Sequence, residues 1–142
     1  MTQEPTNPRS PTMDPTDQLV HVRQTDLLSD TAQTGGMQRK AAITGGLGAR
    51  NIWMGTTVVD PTTASGAHHH GHSETSIYVV SGTPVFQYRQ DGEIVDIATE
   101  PGDFVYVPPF VPHIETNPGA EPAVVVIART TQEAIAVPLD EL

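Results

Sequence analysis

The chain has 142 residues, enough for one domain with a single core. It carries 17 acidic and 7 basic side chains, a formal net charge of -10, and no window gathers the Lys and Arg that a nucleic-acid backbone requires. It has no cysteine, which excludes disulfides and thiolate metal sites and leaves nitrogen and oxygen ligands for any metal. It also lacks an apolar stretch of membrane-spanning length and the layout of a secretory signal, so we expect a cytoplasmic protein without nucleic-acid or membrane partners.

The first 18 residues predict a disordered leader. Four prolines, Pro5, Pro8, Pro11 and Pro15, stand there among polar residues. Such a composition cannot bury enough apolar surface to offset the entropy of ordering the chain.

Residues 19–49 predict an N-terminal arm. Its apolar patch at 19–28 fits an edge strand or a turn of helix, and the surrounding glycines leave 37–44 as at most one short strand.

From residue 50 onward the sequence predicts an all-β domain. Short runs rich in β-branched and aromatic residues alternate with turn residues such as Asp-Gly, Pro-Gly and Pro-Pro. The predicted strands span 51–59, 76–80, 84–89, 94–99, 104–107 and 123–130. Regular short strands without helical periodicity are typical of a β-sandwich or β-barrel, which we place at 50–130. The last segment, 131–142, is expected to add one more strand or to form a tail.

Histidines are concentrated in one segment. Four of the six lie between Gly66 and Glu74, and His113 follows a proline-rich turn about forty residues later. Side chains alternate along an extended strand, so the even-numbered residues from His68 to Glu74 would share one side of a sheet and His69 would face the other. Imidazole and carboxylate ligands suit one divalent first-row transition metal per chain, with Fe, Mn, Ni, Cu and Zn left open. A solvated loop at a strand entrance is the alternative reading of the cluster.

Around these histidines the sequence resembles the first of two motifs of the cupins, a superfamily of small metal-binding β-barrels. That motif reads Gly, five residues, His-x-His, three or four residues, Glu, six residues, Gly. The residues that correspond to it are His68, His70, Glu74 and Gly82. Glu74 lies one residue too far from Gly82, and counting back from Gly82 puts Thr75 at the Glu position. The site would then hold three histidines, or would draw in His72 or a locally shifted Glu74.

A second segment resembles the second cupin motif, which reads Gly, five residues, Pro-x-Gly, two residues, His, three residues, Asn. The residues that match it, at every spacing, are Gly102, Pro108, His113 and Asn117. Phe110 stands where this motif usually has its inner glycine, and Thr62 or Thr63 stands where the first motif usually opens with glycine. Asn117 begins an Asn-Pro-Gly turn, so its expected role is structural.

The resemblance implies the cupin fold, a double-stranded β-helix or jelly-roll barrel in one domain. It also implies the metal ligands His68, His70, Glu74 and His113. By the same analogy we expect a homodimer, in which residues 19–44 or the C-terminal strand cover a sheet edge.

The function expected from this resemblance is that of a metal-dependent enzyme acting on a small oxygenated organic molecule. A metal with three or four protein ligands keeps coordination positions open for catalysis. A dioxygenase ranks first, followed by an isomerase, lyase or decarboxylase, because two or three histidines with one carboxylate resemble the ligand sets that keep Fe(II) open to substrate and oxygen. The residues considered for proton transfer are His72, Glu74 and Glu115, and those considered for the substrate pocket are Tyr78 and Phe110. The alternatives are a non-catalytic cupin that binds or senses a small molecule anchored by the metal, and a barrel that the metal only stabilises.

Overall fold

The computed structural model describes residues 18–142, whose regular secondary structure is almost entirely β-strand. The strands are β1 (Met37–Ile43), β2 (Trp53–Val59), β3 (Thr63–Ala64), β4 (His68–His69), β5 (Thr75–Ser81), β6 (Val85–Gln90), β7 (Glu93–Ala98), β8 (Phe104–Val107), β9 (His113–Asn117), β10 (Ala123–Arg129) and β11 (Val137–Pro138). Two single-turn 3-10 helices, Gln24–Asp26 and Gly45–Leu47, lie in the N-terminal part. No helix in this range is long and apolar enough to cross a membrane.

The strands form two antiparallel sheets. The first has the order β1-β2-β10-β5-β8, and the second has the order β11-β4-β9-β6-β7, with β3 paired to β9. Some neighbouring strands, such as β2 and β10, come from distant parts of the sequence, so residues far apart in the chain meet inside the fold. The pairing of His68 in β4 with His113 in β9 is the example that matters for the site.

The core lies between the two sheets. Buried and less buried residues alternate along β2 and β10, as expected when one face of a strand packs inward. The main cluster of buried apolar side chains consists of Ala41, Trp53, Ile77, Val79, Phe86, Val107, Val125 and Ile127. Burial of this apolar surface is the main force that holds the two sheets together.

All six predicted strands are present, and the structure adds strands that the sequence patterns did not indicate. The most important is β9, which was missed because prolines at 112 and 118 bracket its five residues. The segment 37–44 supplies β1, which pairs with β2 of the same barrel. The patch at 19–28 contains a 3-10 helix and an isolated bridge from Leu28 to Ala41. Apart from Gln18, the predicted leader lies outside the described residues.

The motif positions that usually hold glycine share one backbone feature. Gly82 and Gly102 have positive φ angles of 81° and 96°. Thr62 and Phe110, which replace glycine at the other two positions, also have positive φ angles, 57° and 62°. This left-handed conformation is favoured by glycine and costs about 1–2 kcal/mol for other residues. The turns of both motifs are therefore kept although two of their glycines are absent.

Candidate metal centre

Three histidines from two parts of the chain meet in the structure. One ring nitrogen from each of His68, His70 and His113 lies within 4.8 Å of the other two. The ring centroids of His68 and His113 are 4.4 Å apart, and that of His70 is 4.9 Å from each. The convergence that the paired motifs implied is therefore present, and these three residues could together hold a metal ion.

Each of these imidazoles is oriented by a backbone carbonyl. Nδ1 of His68 lies 2.7 Å from the oxygen of Gly66, and Nδ1 of His113 lies 3.0 Å from the oxygen of Val111. Nδ1 of His70 lies 2.8 Å from the oxygen of Ile135. Because a carbonyl oxygen only accepts, each Nδ1 must carry the hydrogen, which leaves the lone pair on Nε2. A hydrogen bond on the other ring nitrogen is the usual support of a metal-binding histidine.

Burial favours the neutral form of two of these rings. Removal from water lowers the pKa of His113 to about 4, against a weaker opposing effect of its hydrogen bond to Val111. Burial also lowers the pKa of His70. Neutral imidazole is the form that binds a metal. Three imidazole nitrogens that lie close to one another are a donor set that fits a divalent first-row cation.

The structure does not bring Glu74 to this group. Glu74 is exposed, and its Oε1 accepts a hydrogen bond of 2.6 Å from the hydroxyl of Tyr106. The physical reason is a turn at Gly71, whose φ of 56° interrupts the extended chain after His70. Strand β5 therefore restarts with odd-numbered residues inward, and Thr75 lines the cavity where Glu74 was expected.

The three histidines lie in a cavity of about 370 Å³. Its walls include small and apolar side chains from both sheets and from the C-terminal segment, such as Ala67, Ile77, Ile127, Ala134, Ile135 and Pro138. The charged residues in the walls are Arg39, Glu115 and Arg129. A cavity of this size accommodates a small organic molecule next to the histidines.

Glu115 is the predicted proton-transfer residue that the structure places in this cavity. Its side chain is buried, and its Oε1 has no hydrogen-bond partner among the described residues. Burial raises the pKa of Glu115 to about 7, and the charge of Arg39 acts weakly in the opposite direction. A carboxyl group in this state can hold or release a proton near neutral pH.

The other predicted site residues lie outside the cavity. His72 is exposed and lines a separate surface depression with Gln132 and Glu133. Tyr78 is 38% exposed, and its ring contacts that of Phe104 in a tilted arrangement. Both residues occupy outward-facing positions, on β5 and β8, because the shift in alternation turns Tyr78 away from the interior.

Phe110 also lies away from the cavity, contrary to the expected pocket role. It is 62% exposed, and its ring lies 5.8 Å from that of His69, between centroids. Nδ1 of His69 accepts a hydrogen bond of 3.0 Å from the backbone N–H of Gly71. His69 thus lies beside the cluster rather than in it, as the alternation of side chains predicted.

Asn117 holds the chain turn after β9 in place. Its side-chain amide donates to the carbonyl oxygens of Val59 and Glu121 at 3.0 and 2.8 Å, and its Oδ1 accepts from the N–H of Gly119 at 3.1 Å. These contacts confirm the structural role expected for this residue.

Arg39 is a charged cavity residue that the sequence patterns did not indicate. It lies in β1 between the buried residues Met37 and Ala41, so that alternation directs it inward. A strand pattern at 37–44 could have identified this position, but the short segment between glycine-rich loops gave little reason to place it beside the histidines.

Comparison with known proteins agrees with this architecture. Residues 55–129, more than half of the chain, match the family model of the cupin domain. No curated protein sequence gives a significant match.

Several solved structures share the fold. A polyketide cyclase from Streptomyces resistomycificus superimposes with a TM-score of 0.70 at 17% identity, over 86% of each chain. A serine-to-alanine mutant of the oxalate decarboxylase of Bacillus subtilis gives 0.66 at 22% identity over 78% of this chain, which spans only 30% of that enzyme. An oxalate oxidase in complex with glycolate gives 0.66 at 15% identity, over 92% of this chain and 67% of the other. At these identities the likeness shows the fold alone. Together with the family match, it shows that the chain belongs to the cupin family.

Proposed function

We propose that this protein is a metal-dependent cupin enzyme that acts on a small oxygenated organic molecule. The observation that carries the proposal is the common orientation of His68, His70 and His113, each with Nδ1 bonded to a carbonyl oxygen and Nε2 left for a ligand. When bound there, a divalent first-row cation supplies Lewis-acid polarisation of substrate oxygens and open coordination positions.

The histidines and Glu115 have different tasks in this proposal. The three imidazoles hold the cation, and none of them is needed for proton transfer. Glu115 is the one carboxylate in the cavity wall within the described range, and it takes a proton from the substrate or returns one. The apolar residues of the wall limit water and so strengthen the electrostatic interactions in the cavity.

A dioxygenase-type reaction ranks first, because three histidine ligands leave coordination positions for both a substrate and oxygen, and isomerase, lyase and decarboxylase reactions follow. A dioxygenase, isomerase or lyase reaction can begin with the removal of a proton from a substrate that has adjacent or alternating oxygens, and a decarboxylase reaction can end with the return of a proton to the enolate. Both steps suit Glu115. A ligand set of nitrogen atoms without a bound carboxylate leaves the full charge of the cation to the substrate. The relatives by fold carry the names of an oxidase, a decarboxylase and a cyclase, which fits a small oxygenated substrate without selecting the reaction.

Turnover measurements on metal-loaded protein test this proposal. The protein is loaded in turn with Fe(II), Mn(II), Ni(II), Cu(II) and Zn(II) and incubated with diketones, hydroxy acids and oxo acids, while oxygen uptake and product formation are followed. We expect turnover that His113→Ala abolishes and that His72→Ala retains, because His72 is exposed outside the cavity. Oxygen uptake with product separates the dioxygenase from the other reactions.

The alternative function, a non-catalytic cupin that binds a small molecule at the metal, predicts a different result. A ligand would then be retained tightly, and no compound would turn over with any of the metals. The expected homodimer remains a prediction, which light scattering on the purified protein checks.

A further inference from the structure

We propose that the substrate carries a carboxylate and that Arg39 binds it. This inference rests on the proposed function and narrows its substrate class to small organic acids with a second oxygen, such as 2- or 3-oxo acids and hydroxy acids.

The cavity has the opposite charge balance from the protein as a whole. The chain carries 17 acidic and 7 basic side chains. The cavity wall, however, contains two of the arginines, Arg39 and Arg129, and a single acidic residue, Glu115. The cavity that contains the histidine cluster therefore has more positive than negative side chains, although the protein as a whole is strongly acidic. This charge balance favours an anionic ligand.

Arg129 is already engaged by the protein. Its Nε and Nη2 donate to the carbonyl oxygens of Thr131 and Gln132 at 3.0 and 2.9 Å, and its guanidinium lies 4.0 Å from the centre of the Trp53 ring. These contacts use Nε and one N–H of Nη2 and hold the guanidinium against Trp53, so the Nε and Nη2 pair of Arg129 is already engaged.

Arg39 is fixed at its backbone, but most of its side-chain donors are unused. Its N–H donates to the side-chain oxygen of Gln33 at 2.7 Å, and its carbonyl accepts from the same amide at 2.9 Å. Within the described part of the chain, its guanidinium makes one hydrogen bond, from Nη1 to Oγ1 of Thr34 at 2.8 Å. Nε and Nη2 therefore remain to form the parallel pair of hydrogen bonds with which arginine binds a carboxylate.

Arg39 and the three histidines line the same cavity, so one small molecule can contact both. Its carboxylate would lie on Arg39, and its second oxygen would lie on the side of the histidines. Burial of the Arg39 guanidinium is unfavourable and lowers the pKa of this residue, and the nearby Glu115 opposes this effect only in part. A bound carboxylate would relieve this cost.

The test compares glycolate with glycolamide, which have nearly the same shape and differ in charge. Calorimetric titration measures the affinity of each probe for the metal-free and the Zn(II)-loaded protein. We expect Arg39→Gln to weaken glycolate binding by about ten- to a hundredfold in both forms, the usual effect of losing charged hydrogen bonds. The affinity for glycolamide should change less than about twofold in the same variant, because no ionic hydrogen bond is lost.

Two further variants serve as controls. Arg89→Gln removes an arginine that binds the carbonyl oxygens of Gly92 and Leu142, outside the cavity, and should leave glycolate affinity unchanged. Arg39→Lys keeps the charge without the paired donors and should lie between the wild type and Arg39→Gln. The melting temperature of each variant shows whether it is folded.

The outcomes separate this inference from the proposed function. If Zn(II) binds and Arg39→Gln leaves glycolate affinity unchanged, the carboxylate inference is overturned and the metal-dependent function stands. If no metal binds, the proposed function fails, while the metal-free titration still tests Arg39. Should Arg39→Gln not fold, a metal-free wild-type protein that binds both probes equally would overturn the inference.

Discussion

Nδ1 of His70 lies 2.8 Å from the carbonyl oxygen of Ile135, although the two residues are 65 positions apart in the chain. The segment that contains Ile135 also closes one wall of the cavity, and the N–H of Leu139 donates to the carbonyl oxygen of Ala67 at 2.9 Å. The C-terminal segment therefore sets both the orientation of a candidate metal ligand and the shape of the cavity. It is part of the site rather than a tail.

This relationship predicts that Gly71→Ala weakens metal binding. A Cβ at Gly71 would lie 3.1 Å from Cγ2 of Ile135, at a residue with a φ of 56°. The Ile135 carbonyl should then shift away from His70, and loss of such a supporting hydrogen bond typically lowers metal affinity about tenfold or more. The matched control is Gly92→Ala, which imposes a similar backbone strain at a φ of 83° with nothing within 4 Å of the added carbon. Zn(II) affinity by chelator competition should fall in the first variant and hold in the second; equal affinities would contradict the coupling.

A second prediction concerns the carboxylate that the motif suggested as a ligand. Glu74→Gln should leave metal affinity within about twofold of the wild type, because its carboxylate bonds to Tyr106 on the exposed surface. Thr75→Glu, at the inward position, should instead add a fourth ligand and increase the affinity. Chelator competition measures both variants. A marked loss of metal affinity in Glu74→Gln would show that Glu74 is a metal ligand.

In the metal-free protein, the effect of Glu115 on the free energy of unfolding should depend on pH. The pKa of this residue is about 7 in the folded protein, against 4.5 for an unperturbed glutamate, so the folded state holds its proton over a range where the unfolded state has lost it. Stability contributed by Glu115 is then fully present below pH 4.5 and declines as the pH rises to about 7. Glu115→Gln cannot ionise, and above pH 7 it should be more stable to unfolding than the wild type by up to about 3 kcal/mol.

Urea unfolding of both metal-free proteins at several pH values measures this difference. The difference should disappear below pH 4.5, where both side chains are neutral. His113 contributes equally to both proteins, so its own titration cancels. A difference in stability that is the same at pH 5 and pH 8 would show that Glu115 is not kept protonated by burial.

A fourth prediction follows from the missing glycines of the two motifs. Thr62 has a φ of 57°, which costs a β-branched residue about 1–2 kcal/mol, whereas glycine pays only about 0.5–1 kcal/mol in lost backbone freedom. Thr62→Gly should therefore increase the free energy of unfolding by up to about 1 kcal/mol. Thr63→Gly is the control, because Thr63 lies in β3 without a positive φ, and it should reduce stability. The denaturation midpoints of the two variants measure this difference. A loss of stability in Thr62→Gly would show that the backbone of Thr62 is not strained.

The sequence predicted the fold better than the composition of the site. The alternation of apolar and polar residues, together with the turn residues, predicted most strands of the two sheets. The resemblance to the two motifs predicted that His68, His70 and His113 lie close together. Strands depend on the local sequence, and the two motifs correspond to one recurring fold. Strand β9, which carries His113, was not predicted, because the prolines on either side of it are typical of loops.

The remaining site residues depended on long-range geometry. A single positive φ at Gly71 shifted the alternation by one residue and exchanged Glu74 for Thr75 and Tyr78 for Ile77 as inward positions. Arg39 and Ile135 reach the cavity from opposite ends of the chain, and no local pattern marks them as neighbours of the histidines. Periodicity predicts which face a residue occupies only until the first turn changes the register.

The central claim is that His68, His70 and His113 bind one metal ion per chain. Protein purified without immobilised metal, reconstituted with Zn(II), desalted and analysed for metal content tests it directly. The account predicts close to one equivalent in the wild type and in His72→Ala, and almost none in the double variant His70→Ala, His113→Ala. Retention of a full equivalent by the double variant would contradict it.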